Sequence, residues 1–550
     1  MPSSNWRRAW QRWKPSLVPR VTQSPPPGIV RQSTSEATAG HWFDSNNIRW
    51  RGGVIVPVGG NAVLEGTEVD DVPRDVVTWH DNSYQRWAAY GTDTHLYAFC
   101  FDTATLYDIT PTGAPPILPP GYNSGYGLGY YGDGIYGISS SAGSPIGPPG
   151  LLGKASDWWS MDTFGELLVV VPTQDGHLYS WDPNTPTTPA TQVLNAPTSN
   201  RGVIVTDQRQ VVLYGSGGDP RKIAWSDQED MTVWVADVTN LAGEKQLVTS
   251  AAALTAAKVA AGILLFTTND VHLMSYVGPP YAYGIVQVAA GCGPISPRAV
   301  AGAGSFVAWM SLQNFWLYNG NVQVLGCDVK NWFFSVLNPG SIGRLFGSAN
   351  PQFAEIWWDF PDENTVNGEC NRYIAMNYSG VMPGVYSGQA GAVAGYWMLG
   401  QRARTAGDRI GTLDYPILGG VGPGGTGGAL YQHESGWTDN GAPRASAGEV
   451  YVESGTINQG EGDIRFHVKQ LVFDSTTDPA LAANFGFRFF AKEEPWSSAE
   501  TDTGLYTEIH DGLMDARVSG RSVRMRLEAT ADAPFSVGRT RLDLAKAGKR

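Results

Sequence analysis

A short apolar landmark recurs along the chain and constrains its fold more than any other feature. In each copy an aliphatic residue stands in a β-rich run, beside an aromatic residue and close to a turn. The spacings between successive aliphatic positions are 39, 43, 45, 50, 44, 57 and 56 residues. Periods of about 40–50 residues with several short strands each are typical of β-propeller blades. The aliphatic positions are Leu96, Ile135, Leu178, Ile223, Leu273, Leu317, Ile374 and Leu430.

The composition also suits short strands joined by tight turns. Glycine accounts for 67 of 550 residues and charged residues for 16%, whereas average soluble proteins hold about 7% glycine and about 25% charged residues. This composition argues against an all-helical protein, a coiled coil or a disordered chain. We therefore predict an all-β protein in which residues 41–457 form a β-propeller of six to eight blades. The range in blade number allows for closure by a strand from each end.

Local patterns predict three further elements. The Asn319-Gly320 pair between two apolar runs predicts a β-hairpin. Apolar residues at helical spacing over 329–337 predict one helix, with Asp328 as its N-cap and Pro339 soon after its end. From about residue 458 the strands alternate apolar and polar residues, which predicts a separate small β-sandwich over 458–550.

Charge is distributed unevenly along the chain. Residues 1–35 and 517–550 each carry +6, so a total of −13 leaves −25 on residues 36–516. Binding to phosphates needs clustered Lys and Arg, so this acidic body argues against a protein that grips nucleic acid. It fits a surface past which nucleic acid slides; ordinary solubilising charge is the alternative interpretation.

The first 40 residues are rich in Pro, Ser and Thr and predict an extended basic arm. Its three tryptophans fall on one helical face, and such a face needs a partner. The partner is either a groove on a neighbouring subunit or a membrane surface; we favour the subunit, because the segment is too short for lasting membrane anchorage. The candidate docking residues are Trp6, Arg7, Arg8, Trp10, Arg12 and Trp13.

No set of residues forms a recognisable catalytic site. The GxGxxG run at 127–132 has no helical pattern after it, although a dinucleotide site requires one. Asp227, Glu229 and Asp230 lie near Trp225 and could serve a glycosidase, but a polar turn between strands predicts the same residues. We therefore expect a protein that is not an enzyme.

Cysteine, histidine and hydropathy patterns give three further expectations. The four cysteines lie far apart and the eight histidines are scattered, so neither a disulfide framework nor a metal site is expected, and no cofactor. No stretch reaches the ~20 apolar residues that a membrane-spanning helix needs. The first 20 residues lack the apolar segment of a secretory signal, so we expect synthesis in the cytoplasm without a membrane anchor.

Several distinctive runs follow one another from about residue 225 to the end of the sequence. They are residues 225–230, 233–234, 240–243, 276–284, 315–320, 328–337, 353–361, 371–378 and 520–550. In order and spacing these runs, over roughly residues 200–550, resemble a widespread group of structural proteins of tailed phages. Residues 1–200 add no recognisable motif to this resemblance.

The resemblance implies a virion protein of the tail, similar to the β-propeller hub or nozzle proteins known as tail tubular or head-completion hub proteins. It implies a homo-oligomeric ring, commonly a hexamer, that lies below the portal and adaptor and contacts other tail proteins. Genome DNA would pass through the ring without specific binding. The implied location is the virion tail, and the host cytoplasm during assembly. A glycan-binding or glycan-cleaving propeller of a phage tail is the alternative hypothesis.

Overall fold

Antiparallel β-sheet dominates the computed structural model. The described residues are 20–21, 25–32, 34–113, 158–304, 306–365, 367–379, 393–409, 411–458, 462–474, 484–507 and 513–549. Among them lie one α-helix, Lys330–Val336, and three short 3-10 helices, Ser216–Gly218, Pro339–Arg344 and Pro351–Phe353.

Within the described residues, seven antiparallel sheets of four strands follow one another as propeller blades. From the inner to the outer strand they are Asp75–His80, Arg86–Gly91, Leu96–Cys100 and Thr105–Asp108 (blade 1); Trp159–Phe164, Leu167–Pro172, Tyr179–Trp181 and Thr191–Gln192 (blade 2); Gly202–Val205, Val211–Tyr214, Lys222–Trp225 and Gly243–Gln246 (blade 3); Ala253–Val259, Gly262–Thr267, Asp270–Gly278 and Ala282–Ala290 (blade 4); Val300–Gly302, Val307–Met310, Phe315–Tyr318 and Val322–Gly326 (blade 5); Phe346–Asn350, Glu355–Phe360, Arg372–Asn377 and Tyr396–Gln401 (blade 6); and Ala406–Gly407, Ile417–Val421, Gly428–His433 and Asn61–Val63 (blade 7). A short parallel strand, Val393–Ala394, extends blade 5. The predicted all-β propeller is confirmed.

A strand from early in the chain closes the ring of blades. Asn61–Val63 pairs with Gly428–His433 and becomes the outer strand of blade 7. The inner strands of successive blades lie side by side, and those of blades 7 and 1 do so as well. Closure therefore joins two segments that are more than 360 residues apart in the sequence.

The recurring landmark residues occupy one position in the blades. Each landmark among the described residues lies in, or directly before, a third strand, whose two edges are paired and whose sheet packs between neighbouring blades. Such a position favours a buried aliphatic side chain, which explains the recurrence. The landmarks in third strands are Leu96, Ile223, Leu273, Leu317, Ile374 and Leu430; Leu178 directly precedes one, and Ile135 lies outside the described residues.

Two further sheets form the predicted C-terminal sandwich. Sheet A has the order Arg20–Val21, Thr540–Lys549, Ile464–Phe473 and Leu513–Gly520; sheet B has the order Trp42–Asn46, Tyr451–Ser454, Ser522–Ala529, Phe485–Lys492 and Thr501–Tyr506, with Ile457–Asn458 also pairing with Ser522–Ala529. Strands from before the propeller thus complete both sheets. The hydrogen bonding crosses the boundaries predicted at residues 40/41 and 457/458.

The sandwich and the propeller share one hydrophobic core. A single cluster of buried side chains contains Phe487 and Leu527 of the sandwich together with Phe315 of blade 5 and Trp358 and Trp397 of blade 6. Backbone contacts reinforce this packing, because sheet B lies against the outer strand of blade 6. The two parts therefore form one packed body.

The single helix lies where the sequence predicts it, but its cap differs. Lys330–Val336 packs Phe333 against Phe315 and Phe360, with ring centroids 5.7 and 4.8 Å apart. Val329, not Asp328, occupies the N-cap, and no side chain caps this end by a hydrogen bond. The prediction of an Asp328 cap is wrong because that carboxylate is held by Gln32 instead. The hairpin at Asn319-Gly320 is confirmed, with Gly320 at φ 110°.

A buried ion cluster fastens the sandwich to the propeller. Arg49 lies in a linking hairpin, Ile48–Arg51 with Val54–Pro57, between sheet B and the closing strand. Its guanidinium Nη2 donates to Glu355 of blade 6 at 3.0 Å, and Nη1 donates to Glu434, next to blade 7, at 3.0 Å. All three side chains are buried. The cluster thus joins the hairpin to two blades.

Candidate interaction surface and cleft

Blade 4 carries a β-hairpin that extends beyond its own sheet. Its third and outer strands have nine residues each, whereas those of the other blades have two to six. The second strand of the blade supports the third only up to Met274, so the end from Ser275 to Gly284 pairs with itself alone. We call this end the hairpin tip.

The hairpin tip is anchored on blade 3 through Tyr283. Tyr283 packs edge-on to Trp225, with ring centroids 5.5 Å apart, and its hydroxyl donates to Gln210 Oε1 at 2.7 Å. Burial raises the pKa of Tyr283 to about 12, so the phenol stays protonated and keeps this donor. Within blade 4, Gly262 lets the second strand lie close to the third, because a Cβ there would lie 2.2 Å from the Met274 carbonyl oxygen. The hairpin is therefore a fixed projection.

Exposed apolar side chains cover this projection and the adjoining loop of blade 3. Tyr276 and Val277 lie in the tip at 41% and 57% exposure, and Tyr281 at 77%. The loop of blade 3 contributes Val235 and Val238 at 80% and 100% exposure. Connections after third strands leave at one face of an antiparallel propeller, and the loop of blade 3 also reaches blade 2, where Asn195 Nδ2 donates to the Thr232 carbonyl at 3.4 Å. We call these five residues the apolar rim.

The sandwich departs from that same face. Blade 7 ends its third strand at His433, and the chain then enters the sandwich before returning as the outer strand at Asn61. We therefore call it the sandwich face. Connections from an outer strand to the next inner strand lie on the opposite face.

The acidic cluster predicted near Trp225 forms the base of the blade 3 loop. Asp227 accepts a hydrogen bond from the Leu241 amide at 2.8 Å, and Asp230 accepts one from the Thr232 amide at 2.8 Å. Hydrogen bonds from Thr232 lower the pKa of Asp230, whereas a glycosidase acid needs a raised pKa. Glu229 is exposed in a left-handed turn at φ 60°. These contacts are those of a polar turn.

A cleft lies beneath the hairpin, between blades 3 and 4. Its volume is about 270 Å³, just under the range of about 300–1,000 Å³ common for ligand pockets. Lys258, on its wall, bonds Asp162 of blade 2 at 2.9 Å. The lining residues are Val205, Thr206, Asp207, Gln208, Lys258, Ala260, Ala261, Gly262, Ile263, Met274, Tyr276 and Tyr283.

The propeller axis is crossed by a charged side chain. Arg409 follows the inner strand of blade 7, and its guanidinium donates to Thr255 Oγ1 on the inner strand of blade 4 at 3.4 Å. The same group lies over the Trp158 ring at 5.0 Å. Beside it, burial raises the pKa of Asp75 to about 6, against the charges of Arg409 and Arg298. The axis is thus a polar packed region.

Two absences hold for the part of the chain that the structure describes. There, no group of three or more His, Cys, Asp and Glu side chains is arranged to hold a metal ion. No helix in that part has the length and apolar character required to cross a bilayer.

The predicted docking residues of the arm, Trp6, Arg7, Arg8, Trp10, Arg12 and Trp13, lie outside the described residues, as does the GxGxxG run at 127–132. The docking site therefore stays a prediction. Sequence reasoning missed the apolar rim. Its one available signal was the pairing of Tyr and Val residues with a Gly-Pro-Pro turn at 276–281, a place where polar residues are usual.

Comparison with known proteins shows that this chain is similar to others in fold only. No protein-family model matches the chain, and no curated protein matches its sequence. Similar solved structures include the exo-beta-1,3-galactanase from Phanerochaete chrysosporium (10% identity, 88% of this chain and 100% of that chain covered, TM-score 0.27). Another is the Neurospora crassa Pan2 WD40 domain, with 8% identity, 70% of this chain and 96% of that chain covered, and a TM-score of 0.34. A chain of the Mitotic Checkpoint Complex has 11% identity, 69% of this chain and 94% of that chain covered, and a TM-score of 0.33. None of these likenesses assigns an activity to this chain.

Proposed function

We propose that the protein is a structural subunit of a phage tail, a hub or nozzle component that assembles with its own copies into a ring. The apolar rim is the observation that carries this proposal. It presents exposed Tyr276, Val277 and Tyr281 on the anchored hairpin of blade 4, and exposed Val235 and Val238 on the loop of blade 3. Exposed apolar side chains that are grouped on a rigid element are typical of a protein-protein contact. The resemblance of residues 200–550 to tail proteins supplies the biological setting.

The energetics favour assembly through this surface. Full burial of one Val or Tyr side chain contributes roughly 1.5–3 kcal/mol, before the cost of association is subtracted. Five such residues supply enough for a specific contact, provided that a partner covers them together. The tip needs little ordering on binding, because Tyr283 already fixes the hairpin to blade 3.

A DNA conduit in such a ring runs between the subunits. The axis of each propeller holds Arg409 and its contacts, so DNA has no path there. The net −25 on residues 36–516 would repel phosphates at the ring centre and let the genome slide. This arrangement is consistent with a tail subunit past which genome DNA moves without specific binding.

Variants of the rim test the proposal in solution. We expect full-length protein to form rings in negative-stain images, and the double variant Val277→Ser with Tyr281→Ser to fall to single subunits. Leu312→Ser is the matched control, because Leu312 is 51% exposed on the turn between the second and third strands of blade 5. Equal thermal unfolding midpoints would show that all variants are folded. A wild-type protein that remains monomeric, or rings that survive in the rim variant, would contradict the proposal.

A glycan-binding protein is the second candidate, and the cleft between blades 3 and 4 favours it. Tyr276 borders this cleft with an exposed ring, and Asp207, Gln208 and Lys258 add polar groups. Aromatic rings with neighbouring polar groups suit a sugar ring. Calorimetry with host surface polysaccharide tests it, with Gln208→Ala as the variant. If the wild-type protein forms no ring and binds the polysaccharide, and if Gln208→Ala abolishes that binding, the glycan-binding hypothesis is favoured.

A further inference from the structure

The outward face of sheet A is a basic surface. Buried residues of this sheet alternate with exposed ones, and the exposed positions are occupied mainly by cations. Among the described residues, four Lys or Arg stand on this face against two Asp. The cations are Arg465, Lys469, Arg517 and Arg541; the carboxylates are Asp515 and Asp543.

Most of this positive charge is not neutralised within the described residues. Arg465 bonds Glu493 at 2.9 Å, with both side chains about half exposed. Lys469, Arg517 and Arg541 form no salt bridge there, although all three are exposed. Sheet B differs, because its outward face pairs its arginines: Arg524 with Glu453 and Glu500, and Arg526 with Glu528 at 2.9 Å. The outward face of sheet A therefore carries unpaired positive charge that is available to an acidic partner, whereas the arginines on the outward face of sheet B are already paired.

The same chain presents an acidic surface on the opposite face of the propeller. The connection from blade 7 to blade 1 holds Glu65, Glu68, Asp70 and Asp71 within residues 64–72, with no Lys or Arg. Asp108, at the end of the outer strand of blade 1, lies close by. Asp108, Asp70 and Asp71 all act on Tyr97, whose pKa is raised by burial first and then by these three charges. We call these five carboxylates the acidic patch.

We propose that sheet A of one copy docks against the acidic patch of a second copy. The two surfaces have opposite charge and lie on different parts of the molecule, so the contact is head-to-tail. A head-to-tail contact closes into a ring if the rotation between subunits permits, and continues as a filament if it does not. The inference rests on the proposed function, since it names the surfaces that would hold the ring together beside the apolar rim.

Nucleic acid is the other polyanion that a basic sheet can bind. Two observations favour a second copy. The acidic patch is part of the same chain and is therefore present at equal concentration in any assembly. The −25 on residues 36–516 would also oppose the approach of a long phosphate chain to one basic face.

Charge reversal tests the contact directly. Arg517→Glu with Arg541→Glu should weaken self-association about tenfold or more at low salt, because like charges would then face each other. Adding Asp70→Lys and Asp108→Lys should restore association in the same chain. Lys245→Glu, at an exposed lysine of blade 3, is the matched control and should associate normally. Sedimentation velocity at two salt concentrations measures the association, and circular dichroism confirms folding.

The outcomes separate this inference from the proposed function. Rings that persist in the sheet A variant would overturn the docking contact and leave the ring function standing. A wild-type protein that never associates would overturn both. Fluorescence anisotropy with a labelled DNA duplex covers the alternative partner. DNA binding that is lost in the sheet A variant, with unchanged self-association, would overturn the contact in favour of nucleic acid.

Discussion

The buried cluster of Arg49, Glu355 and Glu434 makes stability depend on pH in a calculable way. Two carboxylates share one guanidinium, and all three groups are buried where the linking hairpin meets blades 6 and 7. Burial raises the pKa of Glu355 from 4.5 to about 7, against the attraction of Arg49. Trp357 Nε1 also donates to the Glu355 carboxylate at 3.1 Å. The perturbation is Glu355→Gln, because glutamine is neutral and has nearly the same shape as glutamate.

The direction of the pH dependence of stability follows from the number of protons bound by the folded and unfolded protein. Between pH 4.5 and about 7 the folded protein holds a proton on Glu355 that the unfolded chain has released. The free energy of unfolding therefore falls as pH rises through this window. The shift of about 2.5 pH units corresponds to about 3 kcal/mol at 1.36 kcal/mol per unit. Glu355→Gln cannot release a proton, so its stability should exceed that of the wild type by up to this amount above pH 7.

Urea unfolding followed by tryptophan fluorescence at pH 4.5, 6 and 8 measures the difference. We expect the two proteins to be similar at pH 4.5 and to diverge as pH rises. Glu363→Gln, an exposed residue of the neighbouring turn, is the control and should follow the wild type at every pH. Arg49→Met should instead lose about 3–5 kcal/mol at pH 8, because it leaves two buried carboxylates without a cation. Parallel profiles for wild type and Glu355→Gln would refute the reasoning.

Three other predictions concern the arm, catalysis and the thiols. Deleting residues 1–14 should leave the thermal midpoint unchanged but weaken ring assembly; assembly at the wild-type concentration would show that the arm is dispensable. Incubation with host surface polysaccharide should release no reducing ends, and release that disappears in Asp227→Ala would assign an enzyme instead. The buried thiols of Cys100, Cys292 and Cys370 should react slowly with Ellman's reagent in the native protein, because burial raises the pKa of Cys292 to about 11 and also that of Cys370. Rapid reaction of all four thiols before denaturation would contradict this.

The repeat could be predicted from the sequence because the third strand of each blade has the same packing environment. A third strand lies between two paired strands and between two blades, so an aliphatic residue recurs there about once per blade. The polar turn at Asp227 was predictable for a similar reason, since short acidic residues accept hydrogen bonds from nearby amides.

Contacts between distant segments were not predictable in this way. Trp42–Asn46 has the pattern of an ordinary strand, and nothing local to it indicates pairing with Tyr451–Ser454. The prediction of the helix cap was wrong for the same reason. The side chain of Gln32, almost 300 residues earlier, forms a hydrogen bond with Asp328. The apolar rim combines segments of two neighbouring blades, and its exposure depends on how those blades pack in the folded ring.

Electron cryo-microscopy of the phage particle that contains this chain tests the central claim most directly. The account predicts a ring of density around the tail axis into which the propeller and its sandwich fit as one body, repeated by the symmetry of the ring. The apolar rim and sheet A should then lie against neighbouring subunits, and the ring centre should be wide enough for duplex DNA. A particle whose tail shows no such ring, or holds this chain only as isolated peripheral copies, would contradict the account.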